Sequence, residues 1–210
     1  DKSDFIQVKK VLNSKYLTQG NFVKKLENKI CKVVGGKYCT LVNSGSNALY
    51  IACLSLNINK QDLVWTVPIT YAASANAPIM CGAKIDFVDI EDQSFNICIN
   101  SLKKKLKKKV PKVLIVVHLG GLPPDMEEIF KLSKQYNFKI IEDASQSFGA
   151  KYKNKYIGNN NFSDITVFSF HPLKTITSGE GGALLTKTSK LSQRFNLFRE
   201  NGIVKNQINR

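Results

Sequence analysis

Short apolar runs alternate along this chain with segments in which apolar residues recur every three or four positions. The runs have the length and composition of buried strands: KYCTLV at 37–42, 63–67, AKIDFVDI at 83–90, KVLIVVHL at 112–119, FKIIED at 138–143, ITVFSF at 165–170 and GGALLT at 181–186. The periodic segments predict helices: one with Phe22, Leu26 and Ile30 that ends near Gly35, then NALYIACLSL at 47–56, ASANAPIM at 73–80, MEEIFKLSKQYN at 126–137 and 191–199. This alternation predicts an α/β fold with a mostly parallel sheet flanked by helices.

The charge of the chain invites a nucleic-acid interpretation, because 31 Lys and Arg outnumber 16 Asp and Glu and leave a net charge of +15. The densest basic block, SLKKKLKKKV at 101–110, keeps Leu102, Leu106 and Val110 at four-residue spacing. That spacing predicts a short helix with one buried stripe and a solvated basic face. No aromatic residues interleave with these lysines to stack on bases. We therefore expect no nucleic-acid partner, and an anionic small substrate instead; a salt-sensitive nucleic-acid binder is the alternative.

Other features of the composition narrow the class of protein. No run of eighteen apolar residues occurs and the N-terminal segment has no apolar signal core, so we expect no membrane span and a cytoplasmic protein. The five cysteines lie far apart without a CxxC pair and are interpreted as buried apolar residues in a reducing compartment. The segment KYKNKYIGNNN at 151–161 is interpreted as a polar surface loop. His118 and His171 have no ligand-like neighbours in sequence, so no metal site is predicted.

One lysine stands alone in a long stretch of the sequence. Between Tyr156 and Thr186, Lys174 is the only Lys or Arg, where the composition would place about four or five. It lies in FSFHPLKTITSGEGGALL, among aromatic residues, small residues and glycines. A lysine in such surroundings loses solvation, and its neutral amine can act as a nucleophile or form a Schiff base. An ordinary surface lysine between two strands is the alternative interpretation.

Further candidate residues fall at the carboxyl ends of predicted strands, where parallel sheets bind ligands. The segment NSGSN opens a predicted helix, so the amides of Gly45 and Ser46 could hold a phosphate; a plain Ser or Asn helix cap is the alternative. Asp143 closes the strand FKIIED and would point into the cleft, unless it is only a turn or cap residue. Ser169 adds a hydroxyl five residues before the isolated lysine.

A phosphate cradle, a carboxylate, a hydroxyl and one isolated lysine together match the needs of pyridoxal 5′-phosphate. The lysine would form the Schiff base, the cradle would anchor the phosphate, and the carboxylate would keep the ring nitrogen protonated. A nicotinamide cofactor is disfavoured, because SGEGGALL lacks the GxGxxG spacing and follows no strand-to-helix turn.

The same motifs resemble the large domain of the DegT/DnrJ/EryC1/StrS sugar aminotransferases, which depend on pyridoxal 5′-phosphate and have the aspartate aminotransferase fold (fold type I). The matching segments follow the family's order: LTQGNFVKKLE, NSGSNAL, VPITYAASANAPIMCGAKIDFVDI, HLGGLPPDMEEI, IIEDASQSFGA, FSFHPLKTITSGEGGAL and RENGIVK. The resemblance implies one domain over 1–210, a cofactor-binding large domain with an N-terminal helical segment. It also implies a homodimer whose subunits share the active site.

The resemblance implies a role for each residue that would contact the cofactor ring. Lys174 resembles the lysine that forms the Schiff base and later carries protons to and from the substrate carbon. Asp143 would pair with the ring nitrogen, and Gln146 with the ring hydroxyl. Tyr71 would stack on the face of the ring.

The phosphate contacts are also implied by position. Ser169 and the amides of Gly45 and Ser46 would hold the phosphate, and Glu180 would have a supporting role. Two departures from the family pattern are mild. Asn201 stands where the family often has His, and Ser46 stands where Thr is commoner.

Within the family, FSFHPLKTITSGEGG and GIVK are most similar to the transaminases that make UDP-4-amino-4,6-dideoxy-N-acetyl-β-L-altrosamine, on the way to pseudaminic acid. This similarity implies amino transfer from glutamate to a UDP-linked 4-keto-6-deoxy sugar. Another nucleotide-sugar aminotransferase, or a cofactor-binding relative that acts as a sensor without catalysis, is the alternative. A dehydratase of the same scaffold is disfavoured, because it usually has His at the position of Lys174.

The family continues through a smaller C-terminal domain that helps to close the site, and a neighbouring subunit supplies a further phosphate contact. This chain begins without Met and ends soon after GIVK. We therefore expect a fragment of a longer protein that lacks the small domain. We also expect the 210-residue piece alone to bind the cofactor poorly and to be weakly active or inactive.

Overall fold

The computed structural model describes residues 1–203, which contain one seven-stranded sheet with helices packed around it. The strands of the sheet are β1 (Tyr38–Val42), β2 (Leu63–Thr66), β3 (Lys84–Phe87), β4 (Val113–Val117), β5 (Lys139–Asp143), β8 (Ile165–Ser169) and β9 (Gly182–Thr186). A separate hairpin is formed by β6 (Lys151–Tyr152) and β7 (Lys155–Tyr156). The helices are α1 (Lys2–Leu12), α2 (Asn21–Val34), α3 (Gly45–Ser55), α4 (Ala73–Met80), α5 (Ile99–Leu106), α6 (Met126–Tyr136) and α7 (Ser189–Arg199).

The sheet has the order β1-β9-β8-β5-β4-β2-β3. Strands β3, β2, β4, β5 and β8 are mutually parallel, and β9 runs antiparallel to both β8 and β1. The predicted mostly parallel sheet is therefore confirmed, and the two apolar runs ITVFSF and GGALLT are neighbouring strands. Because parallel strands end at the same edge, the carboxyl ends of β1, β2, β4, β5 and β8 meet there.

Apolar side chains cover both faces of the sheet. On one face Ile115 of β4 belongs to an apolar cluster that also contains residues of α3 and α4 and Phe195 of α7. On the other face Leu114 packs with Leu102 of α5 and Ile129 of α6. Every residue of β4 and of β8 is buried. Burial on both faces explains why these strands have continuous apolar sequences without alternation.

Two local predictions were incomplete. Helix α5 ends at Leu106, and Val110 is exposed beyond it. Pro111 follows directly, and a residue before proline is disfavoured in the helical conformation. The segment 151–161 contains the β6–β7 hairpin, and Asn160 at its end is buried, with its amide donating to Thr166 Oγ1 (2.9 Å) and to the carbonyl oxygen of Leu185 (3.2 Å). These hydrogen bonds attach the segment to strands β8 and β9 of the sheet, although its composition suggests only a surface loop.

All five cysteines are free thiols, but only Cys53 is buried, so the prediction that all are buried was wrong.

Helix α1 buries none of its residues. No helix within residues 1–203 combines the length and the apolar character that a membrane span requires. Of the motif GIVK, Val204 and Lys205 lie outside the described residues.

Candidate active site

A cavity of about 400 Å³ opens at the edge of the sheet where the strand ends meet. It is bordered by all seven residues predicted to bind the cofactor: Gly45, Ser46, Tyr71, Asp143, Gln146, Ser169 and Lys174. The volume is in the range of cavities that hold small ligands. A depression of similar volume (about 430 Å³) beside Asn96 and Asp125 contacts none of the predicted residues. Volume alone therefore does not identify the site, whereas the convergence of these side chains does.

The start of α3 forms one wall of the cavity. Ser44 caps the helix, because its Oγ accepts a hydrogen bond from the Asn47 amide (3.1 Å), and the Ser44 carbonyl oxygen accepts from the Ala48 amide. The amides of Gly45 and Ser46 precede these donors and have no acceptor within residues 1–203. Ser44 therefore caps the helix and still leaves the amides of Gly45 and Ser46 free to bind an anion, so the two interpretations are compatible.

Two glycines let the backbone of α3 lie directly against the strand ends. A Cβ atom on Gly45 would stand 2.8 Å from Ser169 Cβ, and one on Gly182 would stand 2.3 Å from the carbonyl oxygen of Ser44. Both distances are too short for any side chain, so this contact requires glycine. The close packing brings the buried Ser169 hydroxyl beside the free amides. The resulting cradle of amides and a hydroxyl fits a phosphate group.

The carboxylate of Asp143 ends β5 and is 6% exposed. Its Oδ1 accepts hydrogen bonds from Ser145 Oγ (2.6 Å) and from the Ser145 amide (3.3 Å), as in a turn. Its Oδ2 accepts from Ser74 Oγ (2.5 Å), which belongs to α4. Asp143 is thus both a turn residue and a wall of the cavity. The contact of Ser74 with Asp143 was not predicted from the sequence, because a single serine in a helix gives no sign of a contact with a distant strand.

Glu142 and His118 form a buried pair behind Asp143. Glu142 Oε1 accepts a hydrogen bond from Thr166 Oγ1 (3.1 Å), and its Oε2 lies 3.4 Å from Nε2 of His118. Burial raises the pKa of Glu142 to about 7 and lowers the pKa of His118 to about 3. At neutral pH His118 is therefore uncharged, and the contact is not an ion pair. The backbone amide of His118 donates to the carbonyl oxygen of Asp143 (3.1 Å), so the ends of β4 and β5 are joined by their backbones.

Three of the predicted residues stand on loops at the mouth of the cavity. Lys174 is half-buried, and its side chain has no hydrogen-bond or ion-pair partner within the part of the chain that is described. Its predicted loss of solvation is only partial, because most residues from 171 to 180 are exposed. Tyr71 is 77% exposed. Gln146 Oε1 accepts a hydrogen bond from the amide of Gly120 (2.7 Å), whose positive φ of 62° bends the chain towards it.

The donor set fits an anionic cofactor with a reactive aldehyde. It offers free amides and a hydroxyl for an anion, a buried carboxylate for a cationic ring nitrogen, and an unpartnered amine for the aldehyde. Thr70, Ser74 and His118 were not proposed as site residues from sequence, although Thr70 and His118 also border the cavity. Among residues 1–203, no group of three or more His, Cys, Asp and Glu side chains is placed to hold a metal ion.

Known proteins are similar to this chain in sequence. The profile of the DegT/DnrJ/EryC1/StrS aminotransferase family matches residues 1–210. A UDP-4-amino-4,6-dideoxy-N-acetyl-beta-L-altrosamine transaminase from Campylobacter jejuni is 39% identical over 210 residues, which are 99% of this chain and 55% of that protein. A GDP-perosamine synthase from Escherichia coli O157:H7 is also 39% identical, over 197 residues that are 93% of this chain and 53% of that protein.

Solved structures share the fold. The Helicobacter pylori aminotransferase PseC, involved in the biosynthesis of pseudoaminic acid, superposes with a TM-score of 0.91 at 33% identity, over 100% of this chain and 56% of that one. A protein assigned as a sugar aminotransferase from Streptococcus pneumoniae, solved in its PLP form, superposes with a TM-score of 0.85 at 25% identity, over 94% and 55%. The chain spans about half the length of the relatives that it matches. The predicted fold class is confirmed, and the chain belongs to the DegT/DnrJ/EryC1/StrS aminotransferase family.

Proposed function

We propose that residues 1–210 are the cofactor-binding large domain of a pyridoxal 5′-phosphate-dependent sugar aminotransferase. The observation that carries the proposal is a single cavity bordered by Lys174, by Asp143 and by the free amides at the start of α3. When bound, the cofactor supplies an aldehyde that condenses with amines and a ring that withdraws electrons from the substrate carbon. The chain supplies the groups that hold the cofactor and move protons.

Lys174 and Asp143 would perform the chemistry at opposite ends of the cofactor. The unpartnered Nζ of Lys174 would hold the cofactor covalently and, once displaced by the incoming amine, would carry a proton to and from the substrate carbon. The buried Asp143 carboxylate would keep a proton on the ring nitrogen, because a neighbouring negative charge favours the protonated, cationic ring.

The remaining residues would orient the cofactor. Ser169 and the amides of Gly45 and Ser46 would bind the phosphate, since they surround the positive end of the α3 dipole. Tyr71 would stack on the ring, and Gln146 would contact the ring hydroxyl. The exposed Tyr71 would then be covered by the cofactor.

We propose glutamate as the amino donor and a nucleotide-linked 4-keto-6-deoxy sugar as the acceptor. The altrosamine transaminase named above supports a UDP-linked sugar. The GDP-perosamine synthase, at the same identity, supports a GDP-linked sugar as the second candidate. The net charge of +15 would attract the diphosphate of either substrate. Steady-state assays with both 4-keto sugars and glutamate distinguish them, because the preferred acceptor has the higher kcat/KM.

We further propose that two copies form a homodimer that shares the site. Leu173, next to the catalytic lysine, is 87% exposed at the mouth of the cavity, and so leaves an apolar side chain without cover. Sedimentation of the full-length gene product tests this. A monomer that is fully active would contradict it.

Borohydride trapping tests the catalytic assignment. The full-length gene product is incubated with pyridoxal 5′-phosphate and reduced with borohydride, and the modified peptide is mapped. The expected label is on Lys174, and it is absent from Lys174→Ala. Label on another lysine of the wild-type protein would refute the assignment.

A further inference from the structure

We propose that Ser74 is a positioning residue of the aminotransferase reaction: its hydroxyl, backed by Thr70, holds the Asp143 carboxylate in the orientation that binding of the cofactor nitrogen requires. The inference rests on the proposed function. It concerns a side chain of α4 that is none of the residues proposed above to contact the cofactor.

Ser74 is fully buried, and its contact with Asp143 depends on the fold. It is the second residue of α4, whereas Asp143 ends β5, 69 positions later in the chain. The Ser74 hydroxyl lies 2.5 Å from Asp143 Oδ2, and the Ser74 amide donates to the carbonyl oxygen of Tyr71 (3.1 Å). The start of α4 is therefore anchored at both its backbone and its side chain, and the position of the hydroxyl is fixed.

The direction of the hydrogen bonds follows from the chemistry of the groups. An ionised carboxylate only accepts hydrogen bonds, and a serine hydroxyl has one proton to give. Ser74 gives that proton to Asp143, so Thr70 must be the donor in its 2.9 Å contact with Ser74 Oγ. The hydrogen bonds therefore point in one direction: Thr70 at the cavity wall donates to Ser74, and Ser74 donates to the Asp143 carboxylate.

The two oxygens of Asp143 are held by donors from different elements. Ser145 bonds Oδ1, but it follows Asp143 closely in the chain and moves with the same turn. Ser74 bonds Oδ2 from a separate helix. Donors from different elements fix the rotation of the carboxylate plane. Oδ1 already accepts two hydrogen bonds and Oδ2 accepts one, so Oδ2 keeps a lone pair for the ring nitrogen. Ser145 therefore fixes the carboxylate only relative to its own turn, whereas Ser74 fixes it relative to a separate helix.

The experiment compares three variants of the full-length gene product loaded with pyridoxal 5′-phosphate labelled at its ring nitrogen. Ser74→Ala removes the hydroxyl, and Ser74→Thr restores one. Ser133→Ala is the matched control, because Ser133 is a buried serine of α6 that donates to the carbonyl oxygen of Phe130 (2.8 Å) away from the cavity. The NMR shift of the ring nitrogen, kcat, KM and thermal stability are measured for each.

A positioning role predicts a split between these measurements. In Ser74→Ala the ring-nitrogen resonance moves towards its unprotonated position and kcat falls roughly tenfold or more, the scale of a lost hydrogen bond to a charged group. KM for the sugar stays within about twofold, because Ser74 is buried and does not border the cavity. Ser74→Thr recovers most of the loss, and Ser133→Ala changes neither the resonance nor kcat.

Several outcomes would overturn the inference. A wild-type resonance and kcat in Ser74→Ala would do so, as would equal losses of kcat in Ser74→Ala and Ser133→Ala, which indicate a general structural effect. If Ser74→Ala does not fold, Thr70→Val removes only the outer hydroxyl and should shift the resonance less, in the same direction; no shift then overturns the inference. Failure of the proposed function is distinguishable, because the wild-type protein would then not be labelled at Lys174 at all.

Discussion

The two halves of the cavity are held in different ways. In the strand half, Asp143 and Ser169 end buried strands, and the start of α3 is packed on them through Gly45. In the loop half, Lys174 has no side-chain partner within residues 1–203, and Tyr71 is 77% exposed. The strand half is therefore shaped before any ligand binds, whereas the loop half gains its contacts from what enters the cavity.

Because of this difference, substitutions in the two halves should affect stability and catalysis differently. A change in the strand half should affect the fold and cofactor binding together, because buried contacts are lost with the site. A change in the loop half should affect the chemistry and leave the fold as it is, because exposed side chains contribute little to the free energy of unfolding. Four variants test the two statements.

In the full-length gene product, Lys174→Ala should produce the largest change in activity and no change in stability. Among residues 1–203, Lys174 is the one lysine that borders the cavity, so its loss should lower kcat by roughly a thousandfold or more. The midpoint of thermal unfolding of the cofactor-free protein should match that of the wild type. Lys155→Ala, an exposed lysine of the hairpin, is the control and should leave both unchanged. A large drop in the unfolding midpoint of Lys174→Ala would contradict the division into halves.

Glu142→Gln should change how the stability of the strand half depends on pH. Burial raises the pKa of Glu142 from 4.5 to about 7, so its contribution to stability is full below pH 4.5 and is lost as the pH rises through 7. Glutamine does not titrate. The free energy of unfolding of the variant minus that of the wild type should therefore increase by on the order of 3 kcal/mol between pH 4.5 and 7.

His118 titrates in the opposite sense and is present in both proteins. Burial lowers its pKa from 6.5 to about 3, so its contribution is full above pH 6.5 and is lost as the pH falls through 3. Burial lowers this pKa and Glu142→Gln leaves His118 buried, so His118 stays uncharged in both folded proteins above pH 4.5 and its contribution cancels in the difference. Urea unfolding at a series of pH values measures that difference. A difference that is the same at pH 4.5 and pH 7 would show that Glu142 is not the titrating group.

Gly182→Ala should weaken the strand half and the proposed phosphate site together. The added Cβ would stand 2.3 Å from the carbonyl oxygen of Ser44, so the start of α3 must move away. We expect a loss of about 1–3 kcal/mol in the free energy of unfolding. Affinity for pyridoxal 5′-phosphate should fall, while affinity for pyridoxal, which lacks the phosphate, should change less. An equal loss for both ligands would argue against a phosphate site at α3.

Tyr71→Ala should have the smallest effect. The side chain is 77% exposed, so the free energy of unfolding should stay within about 0.5 kcal/mol of the wild type. Loss of an aromatic contact with the ring should weaken cofactor binding by about 0.5–1.5 kcal/mol, which an absorbance titration resolves. Tyr71→Phe keeps the ring and should bind as the wild type does. A loss of stability in Tyr71→Ala would place this residue in the strand half.

The sequence alone determined the framework of the molecule. Continuous apolar runs such as the one in β4 predicted buried parallel strands, because burial on both faces removes the need for polar alternation. Gly45 and the serines beside it after β1, and Asp143 at the end of β5, pointed to one edge of the sheet, because parallel strands place their carboxyl ends together. The order of motifs pointed to the family, although each motif alone is weak.

Only the tertiary structure decided which groups contact each other and how deeply they are buried. The bond between Ser74 and Asp143 joins positions 69 residues apart, and the pKa values of Glu142 and His118 depend on the burial of both. Likewise, the half-exposed position of Lys174 depends on the loop around it and not on its neighbours in sequence. Local patterns specify secondary structure because their periods repeat within a few residues, whereas a buried contact between distant segments exists only once the whole chain has packed.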